Sequence, residues 1–120
     1  MTTEEYQKRA HEFAQYGDES YPYMALCEEV GEVHGKVAKF TRHNEGITPW
    51  KARKEFSNAL KDQLDRFHQD IRKELGDVMW MVAEIATING LTLEGIMDSN
   101  INKLRDRKER GKIDGAGDDR

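Results

Sequence analysis

Two stretches of this chain repeat an apolar residue every three or four positions. The first carries Leu26, Val30, Val33, Val37 and Phe40, and the second Ile71, Leu75, Val78, Val82 and Ile85. That spacing lines one face of an α-helix and suits no β-strand. Strand signals are nearly absent elsewhere, with no alternating β-branched runs and no hairpin dipeptides between them. The expected fold is all-α, a helical bundle of four to five helices. Both prolines sit where a helix would begin: Ser20 can cap a helix with Pro22 in its first turn, and Thr48 one with Pro49 at its first position. "NGLT" at 89–92 reads as a turn followed by a cap at Thr92. The pattern predicts helices near 3–16, 22–42, 49–67, 69–89 and 92–109. Residues 44–68 have weak periodicity and no glycine or proline after Pro49. They read as a separate helix or as an extension of the next one.

The 120 residues suit one domain over 1–110, with 111–120 as a glycine-rich tail. Charged residues make up 35% and hydrophobic ones 37%. That is polar for a monomer and fits helices with wide solvated faces whose remaining apolar surface is covered by dimerisation. A net charge of -4 argues against a nucleic-acid polymer as partner. Cys27 is the one cysteine, which excludes an intrachain disulfide and suits a reducing compartment. It reads as a small buried residue. The opening "MTTEEYQKRAHEF" is too charged for a signal peptide, and no run approaches a membrane span. The expectation is a cytoplasmic protein with no membrane partner.

The acidic residues are less ordinary. On the first stripe Glu29 lies roughly 60° from the centre and Glu32 roughly 120°, on the same side, while Glu28 points almost directly away. On the second, Glu74 and Asp77 occupy the matching angles, roughly 60° and 120°. Each helix thus carries a carboxylate pair at i, i+3 on the shoulder of its core face. If the helices pack antiparallel, the shoulders meet. Four carboxylates cannot share such a place in ionised form without counter-charge. Hard divalent cations take oxygen ligands, and magnesium suits carboxylates together with phosphate oxygens. Gly31 and Gly76 stand between the members of each pair and suggest room for a close neighbour or a ligand. A single such pair is common on a solvated helix. Two matched pairs leave a built site and a charged surface as the alternatives.

The segment "NINKLRDRKERGK" is rich in cations, and Lys103 and Arg107 share a helix face. Such residues favour the helix dipole, and beside a metal site they could hold phosphate. Lys36 and Lys39 follow the first acid pair and could reach phosphate or simply pair with Glu32. Asp65 and His68 are spaced like a metal pair but read better as polar surface. His11, His34 and His43 show no ligand spacing among them. Trp50 and Trp80 read as core or interface residues.

In combination, "EEVGEV", "KELGDVMW" and "NINKLRDRKERGKIDGAGDDR" resemble the MazG-like nucleotide pyrophosphohydrolases, all-α enzymes of the nucleoside-triphosphate pyrophosphatase superfamily. "YQKRA" and "YPYMALCEEVGEVHGKVAKF" are similar to compact bacterial and phage members, so the likeness covers nearly the whole chain. It implies Mg2+ ligands at Glu29, Glu32, Glu74 and Asp77, with Mn2+ as a substitute. It also implies phosphate or nucleotide contacts at Asn102, Lys103 and Arg107, and a homodimer or homotetramer with the site near an interface. The implied reaction converts a nucleoside triphosphate to its monophosphate and pyrophosphate. Forty-one residues separate Glu32 from Glu74, more than the family usually shows, and the surplus falls in 44–68.

The reaction expected of these residues is water attack on the α-phosphorus, with Glu28 or Glu32 as base and pyrophosphate leaving against the metal, Lys103 and Arg107. One rival is a di-metal carboxylate bundle, but such bundles supply Glu-x-x-His pairs and neither acid motif has histidine at i+3. Another is a non-catalytic acidic helical interaction module.

Overall fold

Helix α1 (Thr3–His11) begins on a reciprocal cap. Thr2 Oγ1 accepts from the Glu5 N–H at 3.1 Å, and the Glu5 carboxylate accepts from the Thr2 N–H at 2.7 Å. The computed structural model describes residues 1–115 and 117, and among these the remaining helices are α2 (Tyr21–His43), α3 (Pro49–Glu55), α4 (Lys61–Ile88) and α5 (Leu93–Glu109). No strand occurs among the described residues, so the all-α expectation holds. Of the 111–120 tail, residues 116 and 118–120 lie outside the described residues.

The caps on α3 and α5 form as the sequence implies: Thr48 accepts from the Lys51 N–H and Thr92 from the Gly95 N–H. Pro22 and Pro49 stand in the first turns of α2 and α3. Ser20 is the N-cap of α2 without a side-chain bond; the Asp18 carboxylate accepts from its N–H instead.

Two predicted boundaries are corrected. The helix expected over 3–16 ends at His11, where the backbone tightens into i→i−3 bonds at Phe13 and Ala14 and Tyr16 is drawn toward α4. The helices expected over 49–67 and 69–89 divide elsewhere. The break falls at 56–60, and α4 runs unbroken through His68. The short α3 is held by tertiary packing. Ala52, fully buried, meets Phe40 of α2 and Leu64 of α4, with Ile47, Leu60 and Phe67 around them. The rings of Phe40 and Phe67 meet edge to face at 5.4 Å.

That cluster joins the end of α2 to the start of α4. At the other end of the pair, Asn89 donates to the Tyr23 hydroxyl at 2.7 Å, joining the end of α4 to the start of α2. The two long helices are therefore antiparallel. A second cluster, Ala83, Ala86 and Leu93 with Tyr6 and Val82, seats α1 and α5 on the last turns of α4. Gln7 fastens this corner by donating to Thr87 Oγ1 and the Leu91 carbonyl and accepting from the Leu93 N–H.

The predicted stripes are only partly covered. Val30 and Leu75 remain 40% and 47% exposed, and the deepest part of α4 shifts to Met81, Ala83, Glu84 and Ala86. Cys27, expected inside, is exposed. The radius of gyration is 17.9 Å, against about 13.6 Å for a compact chain of this length. The accessible area is 9006 Å², against about 6,700 Å² for a folded monomer of this mass. The chain is a splayed bundle with much uncovered surface.

Candidate metal centre

Midway along the antiparallel pair, α2 and α4 bring their acidic shoulders together. Carboxylate oxygens of Glu29, Glu74 and Asp77 lie within 4.8 Å of one another, the one such group of metal-ligating side chains among the described residues. Glu29 and Glu74 are half-buried and Asp77 is exposed. Burial raises the Glu29 pKa above the usual carboxylate value, and the charges of Asp77, Glu28, Glu74 and Glu32 add to the rise. The three acids present only oxygen donors, the donor set that a hard divalent cation takes. The residues present thus fit such an ion.

Glu32 is exposed on the next turn and lies outside this group; Glu28 is exposed beside Glu29. Lys36 supplies counter-charge, its ammonium 3.0 Å from Glu74 Oε1. That hydrogen bond raises the Lys36 pKa, burial opposes it, and the charges of Glu74, Asp70 and Glu32 add to the rise. Asp65 pairs with Lys61 at 2.6 Å rather than with His68. A Cβ placed on Gly31 or Gly76 would meet nothing within 4 Å, so no neighbour in the chain crowds either glycine.

Two cavities adjoin the acids and a third opens beside Lys36. One of about 430 Å³ is lined by Asp77, Gly76 and the rings of Tyr6, Phe13 and Trp80, with Arg9 at its wall. Burial, then the charge of Asp77, raises the Tyr6 pKa. A second, of about 570 Å³, reaches Glu29 between Trp80, Met81 and the 13–21 loop. Trp80 serves both, and its indole N–H is buried with no hydrogen-bond partner among the described residues. The third, of about 380 Å³, runs from Lys36 past Lys39 to Arg66. Trp50, by contrast, is exposed on α3.

The loop wall is held by a group that sequence reasoning missed. Glu84 is fully buried; its Oε2 accepts from the Tyr16 hydroxyl at 2.5 Å and meets His11 Nδ1 at 3.0 Å. Burial, then the bond and charge of Glu84, push the Tyr16 pKa up to about 12. Tyr16 stacks on Tyr21, ring centroids 5.9 Å apart. The available signal was Glu84 standing between Ala83 and Ala86, small residues that let α1 approach.

The basic residues of α5 are not brought to the acids within one chain. Lys103 lines a separate cavity of about 620 Å³ beside Gly95 and Ser99. Asn102 accepts from Arg105 Nη1, and Arg107 is buried with its Nη2 3.4 Å from the Gly117 carbonyl.

No solved structure matches the chain significantly. "Gene 37 protein" of Mycobacterium phage L5 is 38% identical over 101 residues, covering 84% of this chain and 75% of that protein. Residues 19–111, which span both acid pairs and all but the last residue of the basic segment, match the MazG nucleotide pyrophosphohydrolase domain, and the chain belongs to that family.

Proposed function

We propose that this chain is a magnesium-dependent nucleoside triphosphate pyrophosphohydrolase that releases pyrophosphate and a nucleoside monophosphate, with Mn2+ as a working substitute. The observation that carries this reading is the meeting of Glu29, Glu74 and Asp77 oxygens within 4.8 Å on two antiparallel helices. Those three would hold the cation, with Glu32 on the next turn of α2 as a fourth ligand where it does not take the water proton. Bound there, a divalent ion supplies charge neutralisation at the phosphoryl oxygens.

The chain's own groups do the rest. Tyr6, Phe13 and Trp80 receive the base, since aromatic faces stack on any nucleobase. Water adds to the α-phosphorus, the α–β bridging oxygen leaves with pyrophosphate, and the water proton passes to a carboxylate. Glu28 and Glu32, both outside the three-oxygen group, are the residues assigned to that proton. Lys36 and Lys39 neutralise the tail.

The assembly reading is a homodimer, or a dimer of dimers. Ile96, Met97, Ile101 and Leu104 leave an apolar stripe exposed on α5, and Val30, Leu75 and Met79 do so beside the acids. A second copy covering both would also carry Asn102 and Lys103 toward the phosphates, whereas Arg107 is buried against the Gly117 carbonyl. The test is a pyrophosphate-release assay with magnesium across the eight common ribo- and deoxyribonucleoside triphosphates, with an EDTA control. Matched release of pyrophosphate and monophosphate supports the reading. Orthophosphate release would move the attack to the γ-phosphorus and end it.

A further inference from the structure

The cavity at the far side of Lys36 is chemically unlike the aromatic one. Its walls carry Lys36, Lys39, His43, Gln63, Arg66 and Asp70, over the rings of Phe40 and Phe67. Three cations face one carboxylate. Asp70 lies 3.9 Å from Lys73, and Lys36 bonds Glu74, whereas Lys39 and Arg66 make no ion pair among the described residues. The volume of about 380 Å³ admits an anion of several phosphate groups, with the two phenyl rings as floor and the cations at its rim. Lysine provides a point charge and arginine a planar fork for phosphate oxygens, with the Gln63 amide and the His43 ring as further donors.

The segment between the acid motifs builds this cavity. Ala52 of α3 packs on Phe40 and Leu64, which fixes the first turns of α4 beside the end of α2. Gln63 and Arg66 then stand across from Lys39 and His43. The cavity reaches the metal centre through Lys36, which lines it while its ammonium lies 3.0 Å from Glu74.

We propose that this cavity is the seat of the substrate's pyrophosphate end, and that Lys39 and Arg66 set the preference for a triphosphate over shorter tails. This rests on the pyrophosphohydrolase reading. It gives the nucleotide a direction along the α2–α4 groove: base toward α1, scissile phosphate over Glu29, Glu74 and Asp77, tail toward α3. The surplus residues of 44–68 are then a substrate-reading element.

The experiment uses the full chain and its Lys39→Ala/Arg66→Ala variant, with magnesium pyrophosphate, magnesium tripolyphosphate and a nucleoside monophosphate as calorimetric probes. Both substituted side chains are exposed, and the variant's unfolding curve is recorded alongside. The expected result is at least a tenfold loss of affinity for pyrophosphate and tripolyphosphate, with monophosphate affinity and the magnesium-induced thermal shift unchanged. Pyrophosphate affinity within twofold of the parent overturns the proposal, as does an equal loss for the monophosphate. The two readings separate cleanly. Turnover with an unaltered pyrophosphate affinity sinks the tail seat alone. Absence of turnover with a tenfold loss sinks the enzyme reading and leaves an anion site.

Discussion

Replacing Glu29 by glutamine should make the metal-free protein more stable and deaf to magnesium. Three carboxylates with oxygens within 4.8 Å of one another repel. At that distance each pair costs about 0.9 kcal/mol in a water-like dielectric. Removing one charge removes two pairs, and screening at physiological salt brings the gain to about 1 kcal/mol. For a domain of this size that is roughly 3–5 °C in melting temperature. The pH dependence follows from the raised pKa of Glu29, caused first by burial and then by Asp77, Glu28, Glu74 and Glu32. A carboxyl whose folded pKa lies above its unfolded one stabilises the fold at acid pH, and that stability is lost as pH rises through the folded pKa. The variant's advantage should therefore be absent in acid and full at neutral pH. Thermal unfolding in EDTA and in magnesium checks both halves. The parent should gain about 2.7 kcal/mol when magnesium stands at a hundred times its dissociation constant, and the variant far less. A variant that melts lower than the parent in EDTA at neutral pH, or responds equally to magnesium, would mean that the three carboxylates neither repel one another nor share an ion.

Three other perturbations test neighbouring parts. Tyr16→Phe removes a 2.5 Å bond to a fully buried carboxylate and should cost about 1.5–3 kcal/mol in urea unfolding with an unchanged m-value; a loss under about 0.5 kcal/mol means that the loop is not held there. Trp80 emission should change on nucleotide addition in the Trp50→Phe background, since Trp80 lines both cavities at the acids while Trp50 lies on α3; an unaltered spectrum at saturation places the base elsewhere. Ile101→Glu sets a charge in the apolar stripe of α5 and should shift the protein to monomer in sedimentation with activity falling at least tenfold; a variant of parental size and rate shows that this stripe is not the interface.

The sequence disclosed whatever one helix decides alone. Periodicity located α2 and the core of α4, and prolines and threonine caps marked the starts of α2, α3 and α5, because these signals act within a few residues. The break at 56–60 left no such mark. It comes from Ala52 and Leu64 meeting Phe40, a contact between residues far apart in the chain. The same limit explains the site. The angles of Glu29, Glu74 and Asp77 on their own helices were enough to bring them together once the helices ran antiparallel. Glu32 stands at the same helix angle as Asp77 yet falls outside the three-oxygen group, so the angle on its own helix did not decide its place. Whether Lys103 faces the acids depends on where α5 packs, and α5 packs on α1 and the last turns of α4.

Lys36 connects these pieces. It is the cation at the acid cluster and also the first residue of the basic cavity. One ammonium cannot fully serve a glutamate and a phosphate chain at once. While Glu74 lacks other counter-charge, the 3.0 Å pair holds Lys36 at the acids. If Glu29, Glu74 and Asp77 held a divalent cation, Glu74 would need that pair less, and the ammonium would be free to turn to the proposed phosphate tail. Lys36→Met should then weaken pyrophosphate binding while leaving magnesium affinity equal or tighter, because the metal no longer competes with an internal cation. Calorimetric titrations of each ligand separately read the two effects. A variant that loses magnesium and pyrophosphate affinity together would instead make Lys36 a structural strut between α2 and α4.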